Sequence, residues 1–201
     1  MADKGLDEII GMLEKGDDVT IAGLGDSLTY GWMVDRGFFD RFVDMLEKRY
    51  PDAGIRPINA GIPGDTADGG SRRMHMVLNH NPDLMTVQFG LNDLYMGVSV
   101  EKYSSAIGTI VQGVRESNAV PVLVVSCPLY EEDEQALAEK YYDVLRRAGE
   151  EQGVAVADLS TYWRSRRDLP QGWAGLLQSD GVHPTDAGHE IMARGMMTLL
   201  G

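Results

Sequence analysis

The chain has 201 residues and a formal net charge of −13, with 18 lysines and arginines against 31 aspartates and glutamates. That length accommodates one domain with a substantial core, with no linker-like stretch dividing residues 1–201, and the negative balance disfavours nucleic-acid phosphates and anionic membrane surfaces as partners while leaving neutral small molecules open. A single cysteine, Cys127, excludes an intrachain disulfide framework, and no run approaches the roughly 20 apolar residues that cross a bilayer.

The first segment, MADKGLDEIIGMLEKGDD, interleaves acids with Ile9, Ile10, Met12 and Leu13, which predicts a short amphipathic helix instead of a secretory signal. Together with the one cysteine it makes the cytoplasm the expected location, although a mature secreted chain would read the same way. Val19–Leu24 is the first strand candidate, followed by Phe39, Phe42, Val43, Leu46 and Tyr50 at helical spacing. Strand candidates at Ile55–Ala60 and Leu84–Gly90 come next, then a helix carrying Tyr103, Ala106, Ile107, Ile110, Val111 and Val114. The stretch VPVLVVS, Val120–Ser126, is the clearest strand; Leu137, Tyr141, Val144, Leu145 and Ala148 mark the next helix, and Val154–Leu159 the last strand. The final helix is predicted to start near Pro184, whose fixed φ suits a first helical position, and to bury Ile191, Met192, Met196, Leu199 and Leu200. This βαβα alternation, with strands lacking an apolar/polar period, predicts a single α/β domain: a parallel five-stranded sheet between two layers of helices.

In such a sheet the ligand site lies beyond the carboxyl ends of the strands. There the chain places Gly25-Asp26-Ser27-Leu28, Gly61-Ile62-Pro63-Gly64-Asp65-Thr66, Gly90-Leu91-Asn92-Asp93 and Cys127-Pro128-Leu129-Tyr130. Ser27, at a strand-to-helix turn, is well placed for nucleophilic attack, but a serine needs a base to take its proton and an acid to orient that base. Near the far end, SDGVHP offers Asp180 and His183 immediately before Pro184; because helical geometry is disfavoured before proline, His183 is expected in an extended or turning segment, free to reach the sheet edge. An oxyanion forming at Ser27 also needs donors in place beforehand, and the N–H groups of Ser27 and Gly64 with the uncharged amide of Asn92 form a candidate set.

Each of these residues has a plainer reading taken singly: Ser27 as a helix cap, Asp180 with His183 as a turn, Asn92 and Gly64 as turn residues. Asp26 and Asp65 are expected to shape their loops as acceptors. The stretch GLGDSL lacks the third glycine of a dinucleotide loop and puts Asp26 where a phosphate would be repelled, so no nucleotide cofactor is expected. His75 and His80 are expected at the surface and His189 has no second ligand at metal spacing, so no metal is expected either. Cys127 is expected to be an inert buried thiol, the methionines core filling, and Glu131–Glu134 a solvated helix start.

Taken together, GDSLTYG (Gly25–Gly31), NAGIPGDT (Asn59–Thr66), GLND (Gly90–Asp93) and DGVHP (Asp180–Pro184) resemble, in order and spacing, the four blocks of the SGNH hydrolases, also called GDSL esterases and lipases. The resemblance spans nearly the whole chain. It implies a flavodoxin-like αβα sandwich and no cofactor, with Ser27 as nucleophile, His183 as general base and acid, Asp180 as its orienting partner, and Ser27, Gly64 and Asn92 as the oxyanion hole. Leu91 stands where many relatives carry a second glycine, a departure that bears on the local loop shape. The G-x-S-x-G elbow of another hydrolase fold fits less well, since Thr29 occupies the final glycine position.

The implied activity is hydrolysis of a small or medium-sized carboxylic ester through an acyl-enzyme, of lysophospholipase, thioesterase, arylesterase or carbohydrate O-deacetylase type. The alternatives are an inactive carbohydrate- or lipid-binding module of the same fold, and an O-acyltransferase. Arg164–Ser179, together with Leu94–Val98 and Leu129–Glu134, is expected to line the substrate pocket, with Trp173, Leu176 and Leu177 as either an apolar wall or loop packing and Arg164, Arg166 and Arg167 as a local positive patch. The expected partner is a small-molecule ester, without nucleic acid or integral membrane association; the sequence leaves the oligomeric state open.

Overall fold

The computed structural model describes residues 5–170, 173 and 175–201. Five parallel strands, β1 (Val19–Gly25), β2 (Ile55–Gly61), β3 (Leu84–Gln88), β4 (Val120–Val125) and β5 (Ala155–Asp158), form one sheet in the order β2-β1-β3-β4-β5. The central strands β3 and β4 are buried along their whole length, whereas edge strand β2 has no fully buried position. That is the burial expected when helices cover both faces and leave the sheet edges to solvent. The proline in β4, Pro121, costs no ladder bond: Val120 N–H turns toward β3 and donates to Asp83 O at 2.8 Å, so position 121 turns the other way, and β5 begins pairing only at Val122.

Between and after the strands lie α1 (Leu6–Lys15), α2 (Ser27–Tyr30), α3 (Phe38–Arg49), α4 (Ala67–Leu78), α5 (Leu91–Tyr95), α6 (Val100–Glu116), α7 (Glu132–Gln152), α8 (Leu159–Ser165) and α9 (Asp186–Met197), with a short 3₁₀ turn at Thr198–Leu200. Helices α3 and α8 each pack against α9 on one face, with α1 beside them, and α4, α6 and α7 cover the other face. The apolar stripes read from spacing are the ones that fill the core: Phe39, Phe42, Val43 and Leu46 on α3, and Tyr103, Ile107, Ile110, Val111 and Val114 on α6. The α/β sandwich is therefore as expected.

Four local expectations need correction. The last helix starts near Pro184 as expected, at Asp186, but Pro184 is not its first residue. Thr185 is its N-cap, its hydroxyl accepting from Gly188 N–H and donating to Gly175 O at 2.7 Å, while Pro184 pairs with Leu177 in an isolated antiparallel bridge. A side-chain cap satisfies an orphan N–H, which proline at the first position does not. Leu137 keeps the helical period of α7 yet is exposed, and Met33, Met76 and Met96 are exposed rather than core filling, unlike Met85, Met192 and Met196. Leu159 opens α8 instead of closing β5, because Asp158 caps that helix through Thr161 N–H.

Candidate active site

The switch in strand order falls between β1 and β3, so loops leaving these neighbours diverge and open a crevice at their carboxyl ends. Ser27 stands there as the first residue of α2. Gly25 must be glycine, since a Cβ would collide with the Thr29 hydroxyl and the Gln88 carbonyl. Its neighbour Asp26 caps α2, accepting from Leu28 N–H at 2.9 Å.

Across the crevice, Ser27 Oγ lies 2.9 Å from His183 Nε2, and His183 Nδ1 lies 2.7 Å from Asp180 Oδ2. The other carboxylate oxygen of Asp180 accepts from Val182 and His183 N–H at 2.9 and 3.0 Å, which fixes the turn between acid and imidazole. Burial is the largest single influence on Asp180 and opposes ionisation, but these N–H groups and the His183 ring outweigh it and hold the carboxyl below its usual range. An ionised Asp180 can only accept, so Nδ1 carries the imidazole proton and the Nε2 lone pair faces the Ser27 hydroxyl.

The loop after β2 holds Gly64 at φ +81°, a left-handed conformation that glycine adopts without strain, and open space lies where a Cβ would project. Asn92, on α5 beyond β3, donates from Nδ2 to Asp65 O at 3.0 Å, keeping one amide hydrogen in reserve. Among the described residues, the N–H groups of Ser27 and Gly64 have no protein partner. Leu91, in place of the second glycine, is buried within α5 and leaves Gly90 alone to take a positive φ of 131°.

Sequence reasoning missed the polar layer beneath the site. Asp26 is fully buried, its Oδ2 lacks a hydrogen-bond partner, and burial pushes its carboxyl up to about 7, with Leu28 N–H and the nearby Gln88 amide opposing and Asp93 and Asp65 adding to the rise. Thr29 donates to Gln88 Oε1, and Gln88 Nε2 donates to Ser126 Oγ. Asp93, also raised by burial above all, accepts from Ala67 N–H at the start of α4. The loop-shaping acceptor role expected of Asp26 is met by its bond to Leu28 N–H, whereas Thr29, Gln88, Ser126 and Asp93 read in sequence as ordinary strand and loop positions.

Cys127 is buried and its thiol is pushed up to about 12, chiefly by burial, as an inert thiol should be. His189, on α9, is 1 % exposed, accepts from Phe38 N–H at 3.0 Å through Nδ1, and is driven down to about 4, mainly by burial. His75 and His80 are exposed, and no cluster of potential metal ligands occurs among the described residues.

A cavity of about 630 Å³, lined by Tyr130, Glu132, Gln135, Glu139, Arg164 and Trp173 among others, runs beside the loop that carries Asp180, and a smaller one shares Tyr130 and Trp173 with Gln178, Ser179 and Gly181. Neither is lined by Ser27 or His183. Trp173, at a strained φ of +52°, forms a wall of both, with the Arg164 guanidinium 5.5 Å from its ring centroid. Leu176 does not line either: it is buried, and its carbonyl accepts from Thr185 N–H, so it supports that wall from the core. Arg166 is paired with Asp168 and Tyr162, which reduces the expected positive patch. Gln171, Gly172 and Ala174 of the expected pocket stretch lie outside the described residues.

The GDSL-like lipase/acylhydrolase family matches residues 24–191. The chain belongs to this family. Among curated SGNH-type relatives, it is 25 % identical to an acetylxylan esterase of Geobacillus stearothermophilus over 92 % of this chain and 91 % of that one. It is 26 % identical to an arylesterase of Vibrio mimicus, covering 80 % of this chain and 78 % of the other. The fold superposes on the crystal structure of the acetylxylan esterase Axe2 of G. stearothermophilus with a TM-score of 0.81 at 22 % identity, over 91 % of this chain and 94 % of that one. The GDSL hydrolase fold thus extends over nearly all the chain, and no described helix is long and apolar enough to cross a membrane.

Proposed function

We propose that this GDSL-type carboxylic ester hydrolase works through an acyl-enzyme on Ser27. The observation that carries the reading is the unbroken Ser27–His183–Asp180 relay, 2.9 and 2.7 Å, set in the β1/β3 crevice. His183 Nε2 takes the Ser27 proton as Oγ bonds to the ester carbon, while Asp180 holds Nδ1–H and stabilises the imidazolium. The carbonyl electrons move to oxygen, met by the N–H groups of Ser27 and Gly64 and the free amide hydrogen of Asn92. The tetrahedral species collapses, its C–O bond to the alcohol breaking as Nε2–H protonates the departing oxygen. Water then repeats the cycle: His183 deprotonates it, it attacks the acyl carbon, and the proton returns to Ser27 Oγ as the acid leaves.

The substrate in this reading is a small or medium-sized acyl ester with an apolar portion. Tyr30, Trp32, Met33, Ile62, Tyr95, Met96 and Tyr130 are large exposed side chains in the segments that follow the carboxyl ends of β1 to β4, Tyr30 ending α2 and Tyr95 ending α5. Apolar surface concentrated at the mouth of a polar site supports contact with the unreactive part of a ligand. The net charge of −13 and the single buried thiol support a small-molecule partner, no nucleic acid and a cytoplasmic location.

A fluorophosphonate probe and a p-nitrophenyl ester series from acetyl to palmitoyl test this together. The wild-type chain is expected to be labelled at Ser27 and to turn over esters, with kcat/KM rising beyond the acetyl ester, and Ser27→Ala to lose both labelling and turnover while keeping its Tm. Turnover in Ser27→Ala overturns the nucleophile, and a steady fall from acetyl onward overturns the apolar contact.

A further inference from the structure

The amide of Asn92 and the loop carrying Gly64 are held by a device outside the four sequence blocks. Arg73, on the second turn of α4, directs its planar guanidinium to three acceptors. Nε donates to Asp65 Oδ2 at 2.7 Å, Nη1 to Ala60 O at 2.7 Å, and Nη2 to Gly25 O at 3.0 Å. Ala60 belongs to β2, Gly25 ends β1 two residues before Ser27, and Asp65 follows Gly64 directly.

Asp65 passes this anchorage on. Its Oδ1 accepts from Thr66 N–H at 3.0 Å, and its backbone carbonyl accepts from Asn92 Nδ2 at 3.0 Å. The pair is well shielded, the Arg73 and Asp65 side chains being 17 % and 13 % exposed. Shielding raises the cost of leaving either ion unpaired, so the two hold each other in one geometry. We propose that Arg73 is a positioning residue for the oxyanion hole: through Asp65 and the Gly25 and Ala60 carbonyls it sets the separation of the Ser27, Gly64 and Asn92 donors. This rests on the esterase reading above. A lysine at 73 cannot reproduce it, because a point charge lacks the rigid fork that reaches three acceptors in fixed directions. Arg72, its neighbour in sequence, pairs among the described residues with the Asp68 carboxylate and carbonyl on the same helix, and is largely exposed.

The test is steady-state hydrolysis of p-nitrophenyl acetate by Arg73→Gln, Arg73→Lys and Asp65→Asn, with Arg72→Gln as control, each also built with Asn92→Ala. Misplaced oxyanion donors lower kcat and leave ground-state binding alone, so Arg73→Gln is expected to lose about 10- to 100-fold in kcat with KM within about threefold, Arg73→Lys to recover only part, and Arg72→Gln to match wild type. Because Arg73 acts partly through Asn92, adding Arg73→Gln to Asn92→Ala is expected to cost less than about threefold more. An unchanged kcat in Arg73→Gln, or the same loss in both backgrounds, overturns the proposal. Should Arg73→Gln fail to fold, Arg73→Lys and Asp65→Asn carry the same comparison. An active, labelled wild type with an unaffected Arg73→Gln overturns this inference alone; a wild type that neither hydrolyses esters nor takes label overturns the esterase reading with it.

Discussion

At the residue scale, the site separates groups that meet the reacting atoms from groups that hold them. Asn92 donates one amide hydrogen to Asp65 O and keeps the other free, which the proposed mechanism assigns to the oxyanion. Asn92→Ala is therefore expected to lower kcat on the order of 10²-fold with little change in KM, measured on a p-nitrophenyl ester. Asp26 is a different kind of residue: a buried carboxyl with one oxygen unpartnered. Neutral, it suits its surroundings; ionised, it meets Asp93 and Asp65 without a cation of its own. Why the chain uses aspartate there has a local answer in the cap it provides to Leu28 N–H, a role asparagine also fills.

At the element scale, α9 shows how one cap organises a site. Thr185 terminates the loop that carries Asp180 and His183: its hydroxyl bridges Gly188 N–H and Gly175 O, and its own N–H reaches Leu176 O. Thr185→Ala removes both hydroxyl bonds and is expected to cost about 1 kcal/mol of stability in a denaturant titration. Because the same bonds restrain the entry to the histidine loop, a fall in kcat is expected alongside it. The equivalent cap at α2 lies at Asp26, so both helices that flank the reacting groups start from side-chain caps. Their polar starts can face the crevice because the helix bodies are buried by Leu28, Ile191, Met192 and Met196.

At the scale of the whole molecule, two buried titratable groups give opposite pH dependences. His189 in the folded state stays neutral down to about 4 while the unfolded chain protonates near 6.5, so its contribution is present above that range and lost as pH falls through it. Asp26 stays protonated up to about 7 when folded but ionises from 3.8 when unfolded, so its contribution is present at low pH and lost as pH rises toward 7. Measured as the stability of a variant minus that of wild type, Asp26→Asn is expected to gain on the order of 4 kcal/mol between pH 4 and 8, and His189→Gln to lose its deficit, on the order of 3 kcal/mol, as pH falls from 7 to 4. Flat difference curves from denaturant titrations would remove both assignments.

The strands, the sandwich and the segments that carry Ser27, Gly64, Asn92 and His183 were legible in the sequence because they are written in local pattern: apolar runs, helical periods, glycine beside a polar residue at strand ends, and an acid and imidazole set before a proline. The closure of Ser27 onto His183, 156 residues apart, was inferable only as chemistry in need of a partner; the fold alone supplied the 2.9 Å contact. Local pattern likewise cannot tell Arg73 from Arg72, or a periodic Leu137 left in solvent from a periodic Tyr141 in the core. Those differences depend on which elements arrive opposite each side chain, and that is decided by packing between segments distant in the chain, where hydrogen bonds and buried surface from several elements are satisfied at once.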